Sequence, residues 1–232
     1  SGALKIGADL LKRYFPQAEV WVSAPTWDNH RAMFEGAGFT VHDYPYYDAA
    51  TGGVKFDDMI ACFGQLPAKT IVLLHPCCHN PTGFDLAPRD WKRVLEVVKA
   101  RELLPLIDFA YQGFGDGLEE DAWAVRLFAA ELPELLVTSS CSKNFGLYRE
   151  RTGALIVRAD NVEKLIDIRS QLALLARNLW STPPAHGAAV VAEILGDAEL
   201  KALWAAEVDA MRRRVADLRT GLVEALRPHG LA

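Results

Sequence analysis

Apolar positions along the chain follow two spacings. Continuous apolar runs, typical of strands buried on both faces, occupy residues 19–23, 40–44, 70–75, 105–109, 135–139 and 152–157. Apolar residues three or four positions apart predict helices at 3–14, 28–37, 56–63, 88–101, 121–131, 162–176, 185–195 and 199–226. Strands that alternate with helices predict an α/β fold with a mostly parallel central sheet and helices on both faces.

The last predicted helix carries an apolar stripe. Its members recur every three or four residues: Leu200, Leu203, Trp204, Val208, Met211, Val215, Leu218 and Leu222. This spacing predicts that the stripe packs into a core, and that the arginines at 212–214 face solvent. So long a helix is also typical of a connection to a further domain.

Composition and charge limit the function classes. The chain has 232 residues, of which 50% are hydrophobic and 24% charged, with a net charge of −5. The negative charge disfavours a nucleic-acid partner. No apolar run approaches the roughly 20 residues of a membrane span, so no membrane is expected. The chain opens at Ser1 within a predicted helix start and stops at Ala232, which leads us to expect the middle of a longer protein.

The four cysteines are Cys62, Cys77, Cys78 and Cys141. Their spacing fits neither a zinc motif nor a disulfide framework. A metal site at Cys78 and His79 is an alternative, but we interpret these residues as part of a buried strand end and expect no metal. Free thiols favour a reducing, cytoplasmic location.

Polar residues follow three consecutive predicted strands. Asn80 comes after the strand at 70–75, and Asp108 and Tyr111 lie at or beyond the end of the next strand. The strand at 135–139 is followed by Ser140, Cys141, Ser142 and Lys143. Ligands of parallel sheets bind at the carboxyl ends of the strands, so these groups are expected to form one site.

This set of groups has the chemistry that a pyridoxal phosphate (PLP) site requires. A lysine among buried groups is a candidate for a Schiff base, and a carboxylate can pair with a protonated ring nitrogen. Hydroxyl groups and an arginine suit a phosphate. A nicotinamide cofactor would need a G-x-G-x-x-G turn after the first strand, and none follows residues 19–23.

Three motifs carry a family resemblance: HNPTG at 79–83, DFAYQGF at 108–114 and SCSKNFGLYRER at 140–151. Together they resemble the PLP-dependent class I aminotransferases, in the aspartate/aromatic subgroup. The resemblance extends over nearly the whole chain. It implies PLP-dependent transferase fold type I and a homodimer with the active site at the subunit interface.

The resemblance implies a role for each matching residue at the reacting end of the cofactor. Lys143 is expected to bind PLP covalently and to transfer the proton. Asp108 is expected to pair with the pyridine nitrogen, and Tyr111 and Asn80 to bind the phenolic oxygen. The alternatives from the residues themselves are a surface lysine for Lys143 and a helix cap for Asp108.

The resemblance also implies a phosphate-binding set. Its members are Ser1, Gly2 and Ala3 at a helix N-terminus, with Ser140, Ser142 and Arg151. Ser1 stands where many family members have threonine. The hydroxyl of Ser142 is alternatively a cap for the local turn.

Four further residues are assigned by the resemblance. Trp27 is expected to stack on the cofactor ring, where core packing is the alternative, and to contact substrate with Asn80. His30 is expected behind the first layer of contacts, and His79 either to orient Asp108 or to pack the strand end. Arg177 is expected to bind a dicarboxylate in the neighbouring subunit's site, or else to satisfy a helix C-terminus.

The implied activity is transamination between an amino acid and a 2-oxo acid such as 2-oxoglutarate. Aspartate is the first expectation for the amino acid and an aromatic amino acid the second. The alternatives are another fold-type I PLP enzyme, a PLP-binding regulator domain, or a truncated inactive fragment. Residues 1–209 are expected to be a large PLP-binding domain without its N-terminal part, and 210–232 the end of a bridging helix before a missing small domain. We expect little or no turnover from these residues alone.

Overall fold

A six-stranded sheet lies at the centre of the computed structural model, which describes residues 1–231. Its strands are β1 (Val20–Ala24), β2 (Val41–Pro45), β5 (Ile71–Leu74), β6 (Leu104–Phe109), β7 (Leu135–Ser140) and β8 (Gly153–Arg158). The spatial order is β2-β1-β5-β6-β7-β8. The first five strands are parallel to one another, and β8 runs antiparallel to β7. The predicted mostly parallel sheet is confirmed, and the carboxyl ends of β5, β6 and β7 share one edge.

Eight helices accompany the sheet in residues 1–231. They are α1 (Gly2–Tyr14), α2 (Asp28–Gly36), α3 (Phe56–Phe63), α4 (Pro88–Ala100), α5 (Trp123–Glu131), α6 (Val162–Trp180), α7 (His186–Gly196) and α8 (Ala198–Leu226), followed by a 3-10 turn at Arg227–His229. A two-stranded hairpin pairs β3 (Tyr47–Asp48) with β4 (Gly53–Val54). The apolar spacing did not predict these two short strands.

Two hydrophobic cores cover the two faces of the sheet. On one face, α1, α2 and α6 pack against inward-facing residues such as Ile71, Leu73 and Leu106. On the other face, α3, α4 and α5 pack against residues such as Val72 and Ile107. Each central strand therefore buries both of its faces, which explains why these strands are continuous apolar runs. Helices on both faces were predicted, and this arrangement is confirmed.

Local sequence explains where several helices begin. Pro88 takes the first position of α4, where its missing N–H costs no hydrogen bond. The Asn161 side chain accepts a hydrogen bond from the Lys164 amide at the start of α6. The Asp197 carboxylate accepts hydrogen bonds from the amides at positions 199 and 200 of α8. Both caps satisfy amides that have no partner within their helix.

The prediction that the α8 stripe packs into a core is wrong for most of its length. Val208 is 1% exposed, but Leu203, Leu218 and Leu222 are 60–61% exposed. The stripe members from Met211 onwards are 40–61% exposed, so most of the apolar surface in this part of the helix stays accessible to solvent. Helical spacing reports that a face is apolar, whereas burial also requires a packing partner.

No helix in residues 1–231 is both long enough and apolar enough to cross a membrane.

Candidate active site

A cavity of about 230 Å³ opens at the carboxyl edge of the sheet. Of the twelve residues predicted to contact cofactor or substrate, ten line it: Ser1, Ala3, Trp27, Asn80, Asp108, Tyr111, Ser140, Ser142, Lys143 and Arg151. They come from the start of α1 and from segments at or beyond the ends of β1, β5, β6 and β7. Parallel pairing aligns the three central strand ends, so residues far apart in sequence meet there.

Asp108 lies near the end of β6 and is held by two side chains. The His30 Nε2–H donates to Asp108 Oδ2 over 2.9 Å, and the Thr138 hydroxyl donates to Oδ1 over 3.0 Å. Burial acts to raise the pKa of the Asp108 carboxyl, but the His30 and Thr138 hydrogen bonds help to outweigh it and hold that pKa below its ordinary value. Asp108 is therefore a fixed negative charge within the cavity.

His30 is itself held in place on α2. Its Nδ1 lies 2.8 Å from the Thr26 hydroxyl, which donates when the ring is neutral and Nε2 carries the proton. Trp27 packs edge-on against His30, with ring centroids 5.2 Å apart. The short segment 26–30 thus places an aromatic ring in the cavity and a hydrogen-bond donor behind Asp108.

Lys143 reaches the cavity from the turn after β7. Its Nζ lies 4.4 Å from the centroid of the Tyr111 ring. Burial lowers the pKa of the Lys143 amine, although the charge of Asp108 acts in the opposite direction. Burial also raises the pKa of the Tyr111 phenol, so that group is protonated near neutral pH. The site therefore pairs an amine that loses its proton more readily with a phenol that keeps its own.

The side of the cavity near α1 suits an anion. Ser1 precedes α1, whose first turn carries no acidic residue. The Arg151 guanidinium donates to the Ser1 hydroxyl over 3.4 Å. The Ser142 amide donates to the Ser140 hydroxyl over 3.2 Å. Helix amides, hydroxyls and a guanidinium that converge in this way are the groups that bind phosphate.

His79 does not contact Asp108. Its Nε2 lies 2.8 Å from the Ser23 hydroxyl, its Nδ1 lies 2.8 Å from the Thr82 hydroxyl, and its ring stacks on Tyr46 at 3.9 Å between centroids. Of the two predicted roles, packing at the strand end is the one observed. His30 and Thr138 occupy the position that orients Asp108.

Two predicted residues lie outside this cavity. Arg177 is exposed in the last turn of α6. Gly2 lies beside Trp180, whose ring atoms would come within 3.2 Å of a Cβ at that position. Gly2 therefore contributes to the site through the backbone of α1, and Arg177 does not reach the cavity of its own chain.

The sequence reasoning missed Thr138 and His75. Thr138 lies directly opposite Asp108 in the parallel register of β6 and β7, which is a signal that strand alignment could have provided. His75 follows β5 and lines the cavity, where its Nε2 is buried without a hydrogen-bond partner among the described residues. Burial lowers the pKa of His75 to about 3, so the ring is neutral.

His30, His75 and Asp108 also resemble a metal site in spacing. One ligand atom from each lies within 4.8 Å of the other two. However, His30 Nε2 and Asp108 Oδ2 are 2.9 Å apart. Two ligand bonds of about 2.0–2.1 Å at a tetrahedral ion would place these atoms about 3.3 Å apart. His30 and Asp108 are hydrogen-bonded directly to each other, and each has a second partner, Thr26 for His30 and Thr138 for Asp108. These bonds favour an organic ligand over an ion at this position.

Comparisons with known proteins agree with this arrangement. The family model described as aminotransferase class I and II matches residues 1–232. An aromatic-amino-acid aminotransferase from Pseudomonas aeruginosa is 66% identical over 232 residues, which are 100% of this chain and 58% of that protein. An aspartate aminotransferase from the same bacterium is 51% identical over 230 residues, or 99% of this chain and 58% of that protein.

Solved structures share the fold closely. An aromatic-amino-acid aminotransferase from Burkholderia pseudomallei, described as covalently bound to pyridoxal phosphate, superimposes with a TM-score of 0.97 at 52% identity. The match covers 99% of this chain and 57% of that one. The chain thus spans about 58% of the length of the curated relatives named above. Because this family model matches residues 1–232 of the chain, the chain belongs to the class I and II aminotransferases.

Proposed function

We propose that the chain is the cofactor-binding part of a PLP-dependent aminotransferase, which moves an amino group between an amino acid and a 2-oxo acid. The observation that carries this proposal is the single cavity in which Lys143, Asp108 and Tyr111 meet an anion-binding end. The family membership and the PLP-bound relative from Burkholderia pseudomallei support it.

The residues of the cavity fit PLP at both ends. Asp108 offers a buried carboxylate that accepts a hydrogen bond from a protonated ring nitrogen. His75 lines the same cavity, and its Nε2 is a buried polar atom without a partner among the described residues. Ser1, Ser140 and Arg151 offer donors for a phosphate at the α1 end. A purely apolar ligand would leave the buried His75 Nε2 unpaired, at a cost of about 1–3 kcal/mol.

Each residue near the reacting end has a distinct task. Asp108 would hold the ring nitrogen protonated, and the His30 hydrogen bond keeps Asp108 ionised for that task. Tyr111 and Asn80 would donate to the phenolic oxygen, and Trp27 would stack on the ring. Bound PLP would supply an electron-poor ring that withdraws electron density from the Cα of the substrate.

Lys143 is the group that would carry the proton. Because burial lowers the pKa of its amine, a larger fraction is unprotonated near neutral pH than for an exposed lysine. The unprotonated Nζ would hold PLP covalently with loss of water, and as a free amine it would take a proton from the substrate Cα and deliver it to the cofactor carbon. The hydroxyls of Ser1 and Ser140 and the Arg151 guanidinium would hold the phosphate and so keep the ring beside Lys143.

For the amino acid we propose aromatic substrates first and aspartate second. The identity of 66% to the aromatic-amino-acid aminotransferase against 51% to the aspartate aminotransferase of the same bacterium supports this order. It reverses the order expected from the motifs. Aspartate remains the second candidate because Arg177 is an exposed guanidinium that suits a distal carboxylate.

We further propose a cytoplasmic homodimer in which Arg177 serves the cavity of the partner subunit. Arg177 is exposed and is not among the residues that line the cavity of its own chain, which supports this role. Four free cysteines support a reducing compartment. The domain division also stays a proposal, with residues 1–209 as a large PLP-binding domain and 210–232 as the end of a bridging helix.

Reductive trapping tests the proposed function. The chain is incubated with PLP and reduced with sodium borohydride, and its peptides are mapped by mass spectrometry. We expect one phosphopyridoxyl group on Lys143, because its lowered pKa and the cavity favour that amine. Lys143→Arg should abolish the label, whereas Lys92→Arg, at an exposed position of α4, should leave it unchanged. A dominant label on any other lysine would contradict the proposal.

A further inference from the structure

Helix α8 contacts the turn that carries Lys143. The indole N–H of Trp204 donates to the backbone carbonyl of Asn144 over 2.7 Å. The Trp204 ring also stacks on Phe145, with centroids 4.5 Å apart and planes inclined by 15°. One half-buried side chain of α8 thus binds both residues that directly follow Lys143.

The same helix contacts the segment that follows Tyr111. A Cβ at Gly113 would lie 2.6 Å from Val208 Cγ1, so the backbone there passes directly against α8. Val208 is the one stripe residue that is almost fully buried, at 1% exposure. Trp204 and Val208 are four residues apart and lie on the same face of the helix.

Asn144 joins the two segments to each other. Its side-chain Nδ2 donates to the backbone carbonyl of Gln112 over 3.1 Å. Asn144 is 7% exposed. It directly follows Lys143 in the chain, and its own backbone carbonyl accepts the hydrogen bond from Trp204. The segments that carry Lys143 and Tyr111 are therefore fixed to each other by Asn144 and to α8 by Trp204 and Val208.

We propose that Trp204 is a positioning residue for Lys143, acting through its hydrogen bond to the Asn144 carbonyl and its stack on Phe145. Trp204 is not among the residues that line the candidate active-site cavity. Its effect is to hold the turn at 143–145 so that the Lys143 amine stays over the Tyr111 ring and away from bulk water. The role of this position in catalysis rests on the function proposed above. The effect of Trp204 on the position of the Lys143 amine does not depend on that function.

The placement has a chemical consequence at the amine itself. Burial is the largest influence on the Lys143 amine and lowers its pKa. When the Trp204 contacts are lost, the turn can relax and admit water, and the pKa should rise towards the value of an exposed lysine. A substitution at Trp204 leaves the other titratable groups that line cavities with Lys143 chemically unchanged. They are Asp108, Tyr111, Tyr148, Arg151, His30, His75, Cys77 and the Ser1 amine in the candidate active-site cavity, Glu207 and Arg219 on α8, and Cys78, His79, Asp85 and Asp116 on the loops.

Competitive labelling with acetic anhydride measures this pKa without any cofactor. The 232-residue chain is labelled over a range of pH, and the rate at Lys143 is read by peptide mapping. Trp204→Phe keeps an aromatic stack but removes the indole donor, and Trp204→Leu removes both contacts. Trp123→Phe, at the exposed start of α5, is the matched control. Circular dichroism selects variants that remain folded.

We expect the Lys143 pKa to rise in the order wild type, Trp204→Phe, Trp204→Leu. A rise of one pKa unit lowers the labelling rate at neutral pH about tenfold, because the unprotonated fraction falls by that factor. Trp123→Phe should match wild type. If Trp204→Phe folds and labels Lys143 with the wild-type pH profile, the proposal is wrong, and a shift of equal size in Trp123→Phe overturns it as well.

A second measurement separates this proposal from the proposed function. The visible absorbance of added PLP is followed against pH in the same variants. Binding of PLP with a shifted profile in the Trp204 variants supports both proposals. Failure of the wild-type chain to bind PLP would count against the proposed function alone, since the acetic anhydride result stands without it.

Discussion

The central sheet and helix α8 are both rich in leucine, but they bury it to different extents. Leu73 on β5 and Leu106 on β6 are 0% exposed, whereas Leu203 and Leu218 on α8 are about 60% exposed. The sheet residues are covered by helices from both faces, whereas Val208 is the one stripe residue of α8 that is almost fully buried. An apolar pattern therefore has a different energetic value in the two regions, because apolar surface stabilises the fold only when it leaves water.

The largest expected difference is in stability. Leu106→Ala should lower the free energy of unfolding by about 2–5 kcal/mol, since it removes buried methyl groups and leaves a cavity. The same change at the exposed Leu218 should alter the free energy of unfolding by less than about 0.5 kcal/mol, because little buried apolar surface is lost there. Urea unfolding of the two variants tests the comparison. Equal losses would mean that α8 is covered in solution.

The buried ring of His75 should make the stability of the fold depend on pH in the acid range. The folded chain keeps His75 neutral, because burial lowers its pKa from 6.5 to about 3. Between these values the unfolded chain binds a proton that the folded chain does not, so stability falls as the pH drops from about 6.5 towards 3 and is unaffected above that range. His75→Gln should remove up to about 1.4 kcal/mol per pH unit from this slope.

Urea unfolding at pH 7, 6 and 5 measures the slope for the wild-type chain and for His75→Gln. Parallel lines for the two proteins would show that burial does not keep the His75 ring neutral in the folded chain. A flatter line for the variant would confirm that the neutral ring belongs to the folded state.

A third expected difference lies at the junction of the two regions. Gly113 has a φ of +97°, and a Cβ there would meet Val208 of α8 at 2.6 Å. Gly52 has a φ of +60° with nothing within 4 Å of a Cβ. Gly52→Ala should therefore cost about 1 kcal/mol from backbone conformation alone, and Gly113→Ala about 1–3 kcal/mol more from the clash. Thermal unfolding of both variants gives the difference, and equal costs would place α8 further from the Gly113 segment.

The sequence predicted the strands and most helices because their signals are local. The predicted strand at 70–75 contains four consecutive apolar residues, and the structure places β5 at these residues, Ile71–Leu74. It did not predict that β8 pairs antiparallel to β7, because the run at 152–157 is as apolar as its neighbours. Strand direction depends on the path of the chain between strands, which apolar spacing does not encode.

The candidate site shows the same division. The polar residues after β5, β6 and β7 were predicted to meet, and ten of the twelve residues predicted to contact cofactor or substrate line one cavity. The partner of Asp108 was only partly anticipated: His30 was placed behind the first contacts, Thr138 was missed, and His79 instead packs on Tyr46. Hydrogen bonds between side chains from different elements depend on distances that only the folded chain sets.

By itself the sequence determined which segments are the six strands of the sheet, which polar residues end the central ones, and hence that a lysine, a carboxylate and a phenol meet at one edge. These features follow from local apolar spacing and from the rule that parallel strands align their carboxyl ends. The sequence did not determine burial, since β8 is largely exposed. The tertiary structure alone decided that His30 reaches Asp108 across 78 residues, that most of the α8 stripe stays exposed, and that Trp204 contacts the turn after Lys143. Each of these depends on packing between elements that are distant in sequence. Whether a side chain is buried or hydrogen-bonded there depends on which other element it meets, and local sequence does not specify that element.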